Sequence, residues 1–300
     1  MSDSTGEEKK LAEMIRTTKP EDLPFAAEYE EYLNQADHEE TTVETREGET
    51  IVHILKAKNI EKPCTVHINV HGGGFVIGHA ERDIIFCSKL ASLTGGIVVD
   101  IDYRLAPEHK FPCAFNEVYD VTAWVFKNID SVGGDKNRVS IGGYSAGANL
   151  AAAVTLRAKQ TKDFRLALQV LGYAVTDVIT DPDDKPKIPG ASFPAPERCR
   201  AFNRLYTGGE RAKAESPFAS ISLATDEMLE GLPDTLAIIA GSDVLRPEFE
   251  TYVSRLVHNG VTVTAKCFLD SVHGFAISCT GEWEDAQNMI IGAIKEAAVR

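Results

Sequence analysis

Long apolar runs are missing from this chain. No stretch approaches the roughly 20 consecutive apolar residues that cross a bilayer, and the opening MSDSTGEEKKLAEMIRTTKP lacks the hydrophobic centre of a secretory signal. Stable membrane insertion and export are therefore not expected, and a cytoplasmic location is. Clusters of Lys and Arg are missing too. With 31 basic residues against 45 acidic ones, a net charge of −14 and a pI near 5.1, the average surface repels polyanions, which argues against nucleic acid as a partner. The six cysteines, Cys64, Cys87, Cys113, Cys199, Cys267 and Cys279, contain no CxxC pair, and several fall inside apolar runs. They read as reduced thiols packed like small hydrophobes. His67 and His71 are four residues apart in a strand-like run, too widely spaced for a compact site without a third ligand, so no metal is expected. Repeats, low-complexity tracts and flexible linkers are absent as well, and the 300 residues read as a single domain.

What is present is an alternation of apolar strand-like runs with helical periodicity. IVHIL (51–55), VHINV (66–70), IVVDID (97–102), VSIGGY (139–144), LALQV (166–170), TLAIIA (235–240) and VTAKCF (263–268) read as strands. Between them lie helix-length segments, such as Glu117 to Ile129 behind a possible Asn116 cap, with Val118, Val121, Trp124, Val125 and Ile129 at helical spacing. This alternation implies a mostly parallel central sheet flanked by helices. Two segments break the rhythm. Residues 1–45 are charged and helix-prone, with Pro24 opening a helix that aligns Phe25, Tyr29 and Tyr32, and residues 177–210 begin with a Pro-, Asp- and Lys-rich stretch. Both are expected to form a helical cap, leaving 46–176 and 211–300 as the core.

Three segments carry chemistry. VSIGGY runs into Gly143-Tyr144-Ser145-Ala146-Gly147 and then an alanine-rich helical stretch, the strand–turn–helix context that lifts a serine Oγ clear of a sheet. The G-x-S-x-G pattern alone is also compatible with an exposed turn serine; its context favours a nucleophile. Upstream, VHINV ends at His71-Gly72-Gly73-Gly74-Phe75, where adjacent glycines leave backbone N–H groups unshielded and able, with that of Ala146, to face a developing oxyanion. A phosphate loop is the poorer reading of this run, because no P-loop lysine follows and the G-x-G-x-x-G spacing is lacking. Asp243 follows TLAIIA directly and His273 lies just past VTAKCF. Taken singly, these are a helix cap and a loop histidine. The order Ser145, Asp243, His273, each after a predicted strand, is that of an α/β-hydrolase triad.

HGGGF (71–75), DYRLAPEHKFP (102–112), GYSAG (143–147), the DVLRPE run (243–248) and HGF (273–275) together resemble the hormone-sensitive-lipase family of α/β-hydrolase esterases, over roughly residues 60–300. The resemblance implies an α/β-hydrolase fold beneath a two-part helical cap, no metal or organic cofactor, short acyl esters as substrates, and an oxyanion hole from Gly73, Gly74 and Ala146. His71, Gly72 and the DYRLAPE segment would support that hole. One departure is Tyr144, where the family elbow carries Asp or Thr. It could line the acyl site or hydrogen-bond elsewhere. Phe75, Tyr144, Phe193, Phe202, Tyr206 and Phe275 are candidates for an apolar pocket wall, although such aromatics as often serve packing.

The reading that follows is a serine carboxylesterase acting on short- to medium-chain acyl esters, with a small-molecule ester as its partner. An amide-directed serine hydrolase, arylformamidase-like, needs the same residues. A non-catalytic receptor of the same fold is disfavoured by retention of His273, and a true lipase by the want of a conspicuous apolar lid helix. Homodimerisation through the sheet edge occurs in similar proteins, but no periodicity in this chain displays it.

Overall fold

The computed structural model describes residues 2–17 and 31–299. Eight strands, β1 (Ala36–Thr45), β2 (Gly48–Ala57), β3 (Cys64–Val70), β4 (Ile97–Asp102), β5 (Gly134–Tyr144), β6 (Leu168–Gly172), β7 (Asp234–Ala240) and β8 (Val263–Phe268), form one sheet in the order β1-β2-β4-β3-β5-β6-β7-β8. β1 and β2 are antiparallel to their neighbours, and every pairing from β4 to β8 is parallel. All seven residues of β3 are buried, which is why its sequence reads as continuous rather than alternating: helices cover both faces of a parallel sheet.

The longer helices are α1 (Ser2–Thr17), α2 (Glu81–Thr94), α3 (Cys113–Lys127), α4 (Ala146–Thr161), α5 (Pro196–Thr207), α6 (Arg246–His258) and α7 (Trp283–Glu296). On one face Val66, Ile68, Val99 and Ile141 pack with Val118, Leu150, Val154 and Phe249 of α3, α4 and α6. On the other, Val98, Val170, Leu236 and Ile238 pack with Phe86 and Leu90 of α2 and Ile290 and Ile294 of α7. Among the described residues no helix is long and apolar enough to cross a membrane.

Some boundaries differ from the sequence expectation. Ala36–Thr45, assigned to the leading cap segment, is the first strand of the sheet. As an edge strand it has a neighbour on one side only, and most of its side chains are exposed, so ADHEETTVET carries little apolar signal. The helix expected from Glu117 begins at Cys113, after Pro112. Asn116 lies within it and donates from Nδ2 to Glu47 Oε1 (2.6 Å) rather than capping. The sixth strand runs 168–172 rather than 166–170. The aromatic face proposed for Phe25 and Tyr29 lies outside the described residues.

The two irregular segments meet. Ala12 and Ile15 of α1 pack with Val76, Ala106 and Leu205, with Phe202 of α5 against the same cluster. Arg16 fastens α1 by donating to the carbonyls of Val76 and Ala106 (both 2.9 Å) and to Glu108 (2.8 Å).

Candidate active site

Ser145 is the single residue between β5 and α4, and its backbone is held at φ +57°, ψ −119°, a conformation that L residues rarely adopt. Backbone bonds on both sides hold it there. Its N–H donates to Gly172 O (2.9 Å), and its carbonyl accepts from Asn149 N–H (3.2 Å) and from Val175 N–H (3.4 Å). The flanking glycines are required by closeness. A Cβ at Gly143 would lie 2.3 Å from Gly147 C, and one at Gly147 would lie 2.1 Å from Val70 O. Strand and helix therefore touch backbone to backbone, and the serine is projected past the carboxyl edge of the sheet.

Asp243 and His273 follow β7 and β8 at that same edge. His273 Nε2 lies 2.8 Å from Ser145 Oγ, and its Nδ1 lies 2.7 Å from Asp243 Oδ2. Asp243 is fully buried, and its Oδ1 accepts the N–H of Leu245 (2.9 Å). With one oxygen committed to that backbone donor, the other is left to accept from the imidazole, which fixes the proton on Nδ1 and turns a bare Nε2 toward the hydroxyl. Phe193 fastens the insertion to this point: its carbonyl accepts from Val244 N–H (3.3 Å), and its ring lies 6.3 Å from that of His273.

The glycine run packs on the elbow. A Cβ at Gly72 would come 2.9 Å from Tyr144 O and 3.6 Å from Ser145 Cβ. Among the described residues, the N–H groups of Gly73, Gly74 and Ala146 are donated to no carbonyl or side chain. His71 anchors the run from beneath. Its ring stacks on Tyr103 at 4.1 Å, its Nδ1 donates to Gly72 O (2.7 Å), and Tyr103 Oη donates to His71 O (2.9 Å). Burial lowers the His71 pKa, so the ring stays neutral. Ala106 N–H donates to Phe75 O (2.9 Å), so the DYRLAPE segment braces the far end of the run as well.

Above Ser145 opens a cavity of about 530 Å³. Phe75, Tyr144, Phe193 and Phe202 line it, as do Gly72, Gly73 and Gly74. Two of the expected pocket aromatics do not. Tyr206 is buried, stacked on Phe75 at 3.7 Å, and Phe275 is buried against Phe268 and Tyr173; both fill core behind the wall. Tyr144 faces the cavity with its edge toward Phe86, and its Oη has no hydrogen-bond partner among the described residues, so it lines the site rather than anchoring the elbow.

Sequence reasoning missed Tyr173, whose ring sits 5.1 Å from that of His273, and Arg82 and Arg198, both in the cavity wall. Tyr173 directly follows β6, and that position past a parallel strand's carboxyl end is the signal that could have found it. Nothing in the sequence pattern marks the two arginines.

Behind the glycine run lies a second polar group. Fully buried Asp100 on β4 accepts from Asn69 Nδ2 (2.7 Å) and from His79 Nε2 (2.7 Å). Burial disfavours the His79 charge, but the bond to Asp100 and that carboxylate's charge outweigh it and push His79 up to about 9. The Asp100 pKa is lowered in turn, burial notwithstanding, by the same pairing. His53 stacks on His79 at 4.6 Å, and burial with the neighbouring His79 lowers the His53 pKa.

Comparison with known proteins gives a consistent result. The profile of a family described by its alpha/beta hydrolase fold matches residues 67–277. Esterase LipI of Mycobacterium tuberculosis is 33% identical over 217 residues, covering 72% of this chain and 66% of that protein. Arylacetamide deacetylase of Oryctolagus cuniculus is 27% identical over 320 residues, covering 86% of this chain and 80% of that one. Among solved structures, an esterase of Pyrobaculum calidifontis aligns with a TM-score of 0.81 at 30% identity, over 98% of this chain and 92% of that one.

Proposed function

The chain belongs to the hormone-sensitive-lipase family of α/β-hydrolase-fold esterases and is a carboxylic ester hydrolase, and from that premise we propose that it cleaves short- to medium-chain acyl esters through Ser145, His273 and Asp243. The observation that carries this reading is the unbroken pair of hydrogen bonds from Ser145 Oγ through His273 to Asp243, 2.8 and 2.7 Å long, at the floor of the cavity.

In the proposed reaction His273 Nε2 accepts the Ser145 proton as Oγ attacks the ester carbonyl. The N–H groups of Gly73, Gly74 and Ala146 hold the oxyanion, and Asp243 stabilises the imidazolium that forms. The imidazolium protonates the departing alcohol, and a water deprotonated by the same Nε2 hydrolyses the acyl-enzyme. The cavity volume suits an acyl chain of a few carbons and a small alcohol. We propose that α1 and residues 177–210 act as a cap over this site, a reading supported by their mutual packing and by the attachment of Phe193 beside Asp243.

The likeness to arylacetamide deacetylase favours amide cleavage as a second reading, which would use the same atoms. One experiment separates the two. A p-nitrophenyl ester series from acetate to palmitate, with an aryl amide alongside, is to be hydrolysed by wild type and by Ser145→Ala. Ser145-dependent turnover peaking at short chains supports the esterase; silence toward every ester with turnover of the amide transfers the function to amides.

A further inference from the structure

The wall of the catalytic cavity contains five charged side chains besides the reacting residues: Arg82, Asp83, Asp177, Lys185 and Arg198. Three of them are already satisfied. Asp83 Oδ2 accepts the Ala80 N–H at the start of α2 (2.9 Å), and Asp177 Oδ1 accepts the N–H groups of Ile179 and Thr180 (2.7 and 3.0 Å). Lys185 pairs with Glu248 (2.5 Å) and donates to Asp177 O (2.6 Å).

The two arginines are different. Among the described residues, neither guanidinium donates a hydrogen bond or forms an ion pair, and the Arg82 Nε is buried without a partner. Arg198 rests on the ring of Phe202, at 5.4 Å. Arg165 and Arg204 also lack a partner among the described residues, but they are exposed and hydrated by solvent. Arg82 and Arg198 are half-buried. In a chain of net charge −14, carboxylates are abundant, and arginines elsewhere have found them: Arg16 holds Glu108, Arg46 holds Asp120, Arg200 holds Asp181 and Arg246 holds Glu250. A half-buried guanidinium left without an acceptor carries a desolvation cost that an incoming anion would remove.

Resting on the serine-esterase reading above, we infer that the preferred substrate is an ester that carries a carboxylate, bound by Arg82 and assisted by Arg198. The guanidinium fork matches a planar carboxylate with two parallel N–H···O bonds, which a lysine could not supply. Arg82 and Arg198 line the same cavity as Ser145, Tyr173 and His273, so the recognition element shares its wall with the reacting centre. The reaction remains ester hydrolysis, and the carboxylate takes no part in bond making.

The test compares kcat/KM for two matched pairs. With the charge on the acyl side these are p-nitrophenyl hemisuccinate, corrected for its uncatalysed hydrolysis, and p-nitrophenyl pentanoate. With the charge on the alcohol side they are para-acetoxybenzoate and para-acetoxybenzamide. Each is measured with wild type, Arg82→Gln, Arg82→Lys and Arg198→Gln. In at least one pair wild type is expected to favour the anionic member. Arg82→Gln should lower that preference by about 10- to 100-fold, chiefly through KM, with partial retention in Arg82→Lys and a smaller loss in Arg198→Gln. The pair that responds locates the carboxylate on the acyl or the alcohol side. The inference is overturned if wild type shows no anionic preference in either pair, if the preference survives in Arg82→Gln, or if both members of a pair fall together in that variant. Failure of the underlying reading is seen separately, as absent or Ser145-independent turnover of the neutral pentanoate.

Discussion

Asp243→Asn removes one charge while keeping the shape of the side chain, and the structure dictates which way the new amide must face. Asp243 Oδ1 accepts the N–H of Leu245 at 2.9 Å and Oδ2 faces His273 Nδ1 at 2.7 Å, both within a fully buried setting. An asparagine that turns its NH2 toward Leu245 sets two donors face to face in the interior, at a cost of about 1–3 kcal/mol. It therefore keeps its oxygen on Leu245 and presents NH2 to His273 Nδ1, which must then act as acceptor. The ring proton moves to Nε2, and the atom facing Ser145 Oγ becomes a donor unable to take the serine proton. Loss of the base should lower kcat by about 10⁴-fold, roughly 5 kcal/mol of barrier. The assay is steady-state hydrolysis of a short p-nitrophenyl ester, with the thermal transition measured alongside to confirm folding. A folded variant that loses less than tenfold would refute the assignment of Asp243 as the group that sets the His273 tautomer.

Other substitutions probe the supports. Gly147→Ala places a methyl 2.1 Å from Val70 O, where neither backbone can yield; a loss of roughly 3 kcal/mol, or about 5 °C in Tm, is expected by calorimetry. Tyr144→Phe deletes a buried hydroxyl that has no partner among the described residues, so stability should change by no more than about 1 kcal/mol, and in the favourable direction; a large drop in Tm would mean that the hydroxyl is bonded after all. His79 has a folded pKa raised from 6.5 to about 9, so the stability that it contributes is full below about pH 6.5, fades above it and is gone beyond about pH 9. A plot of Tm against pH should fall across that window in wild type and be flatter in His79→Gln, and an equal slope in both would contradict the pairing with Asp100.

Much of the site could be read from the sequence because its constraints are local. Gly143 is required by contact between one strand and the helix that follows it, Gly147 by contact of that helix with the neighbouring strand at Val70, and Asp243 and His273 each lie just past a strand, so their convergence follows from parallel order alone. What escaped the sequence depends on packing between distant segments. β1 is an exposed edge whose charged residues look like loop, while the aromatic rings of Tyr206 and Phe275 are indistinguishable in sequence from those that line the cavity. Tyr206 is drawn inward by stacking on Phe75, a contact across more than a hundred residues. Arg82 sits in a helical stretch with other charges, and that its guanidinium has no partner among the described residues emerges only from the folded structure.

In the proposed reaction Ser145 Oγ forms the covalent bond to the acyl group. The most direct test is inactivation by diethyl p-nitrophenyl phosphate, followed by intact-mass measurement and peptide mapping. Stoichiometric p-nitrophenol release, a diethylphosphoryl group on the peptide containing Ser145, activity lost in proportion to labelling, and no label in Ser145→Ala are expected. A label on another residue, or full esterase activity remaining after Ser145 is completely modified, would contradict that reaction.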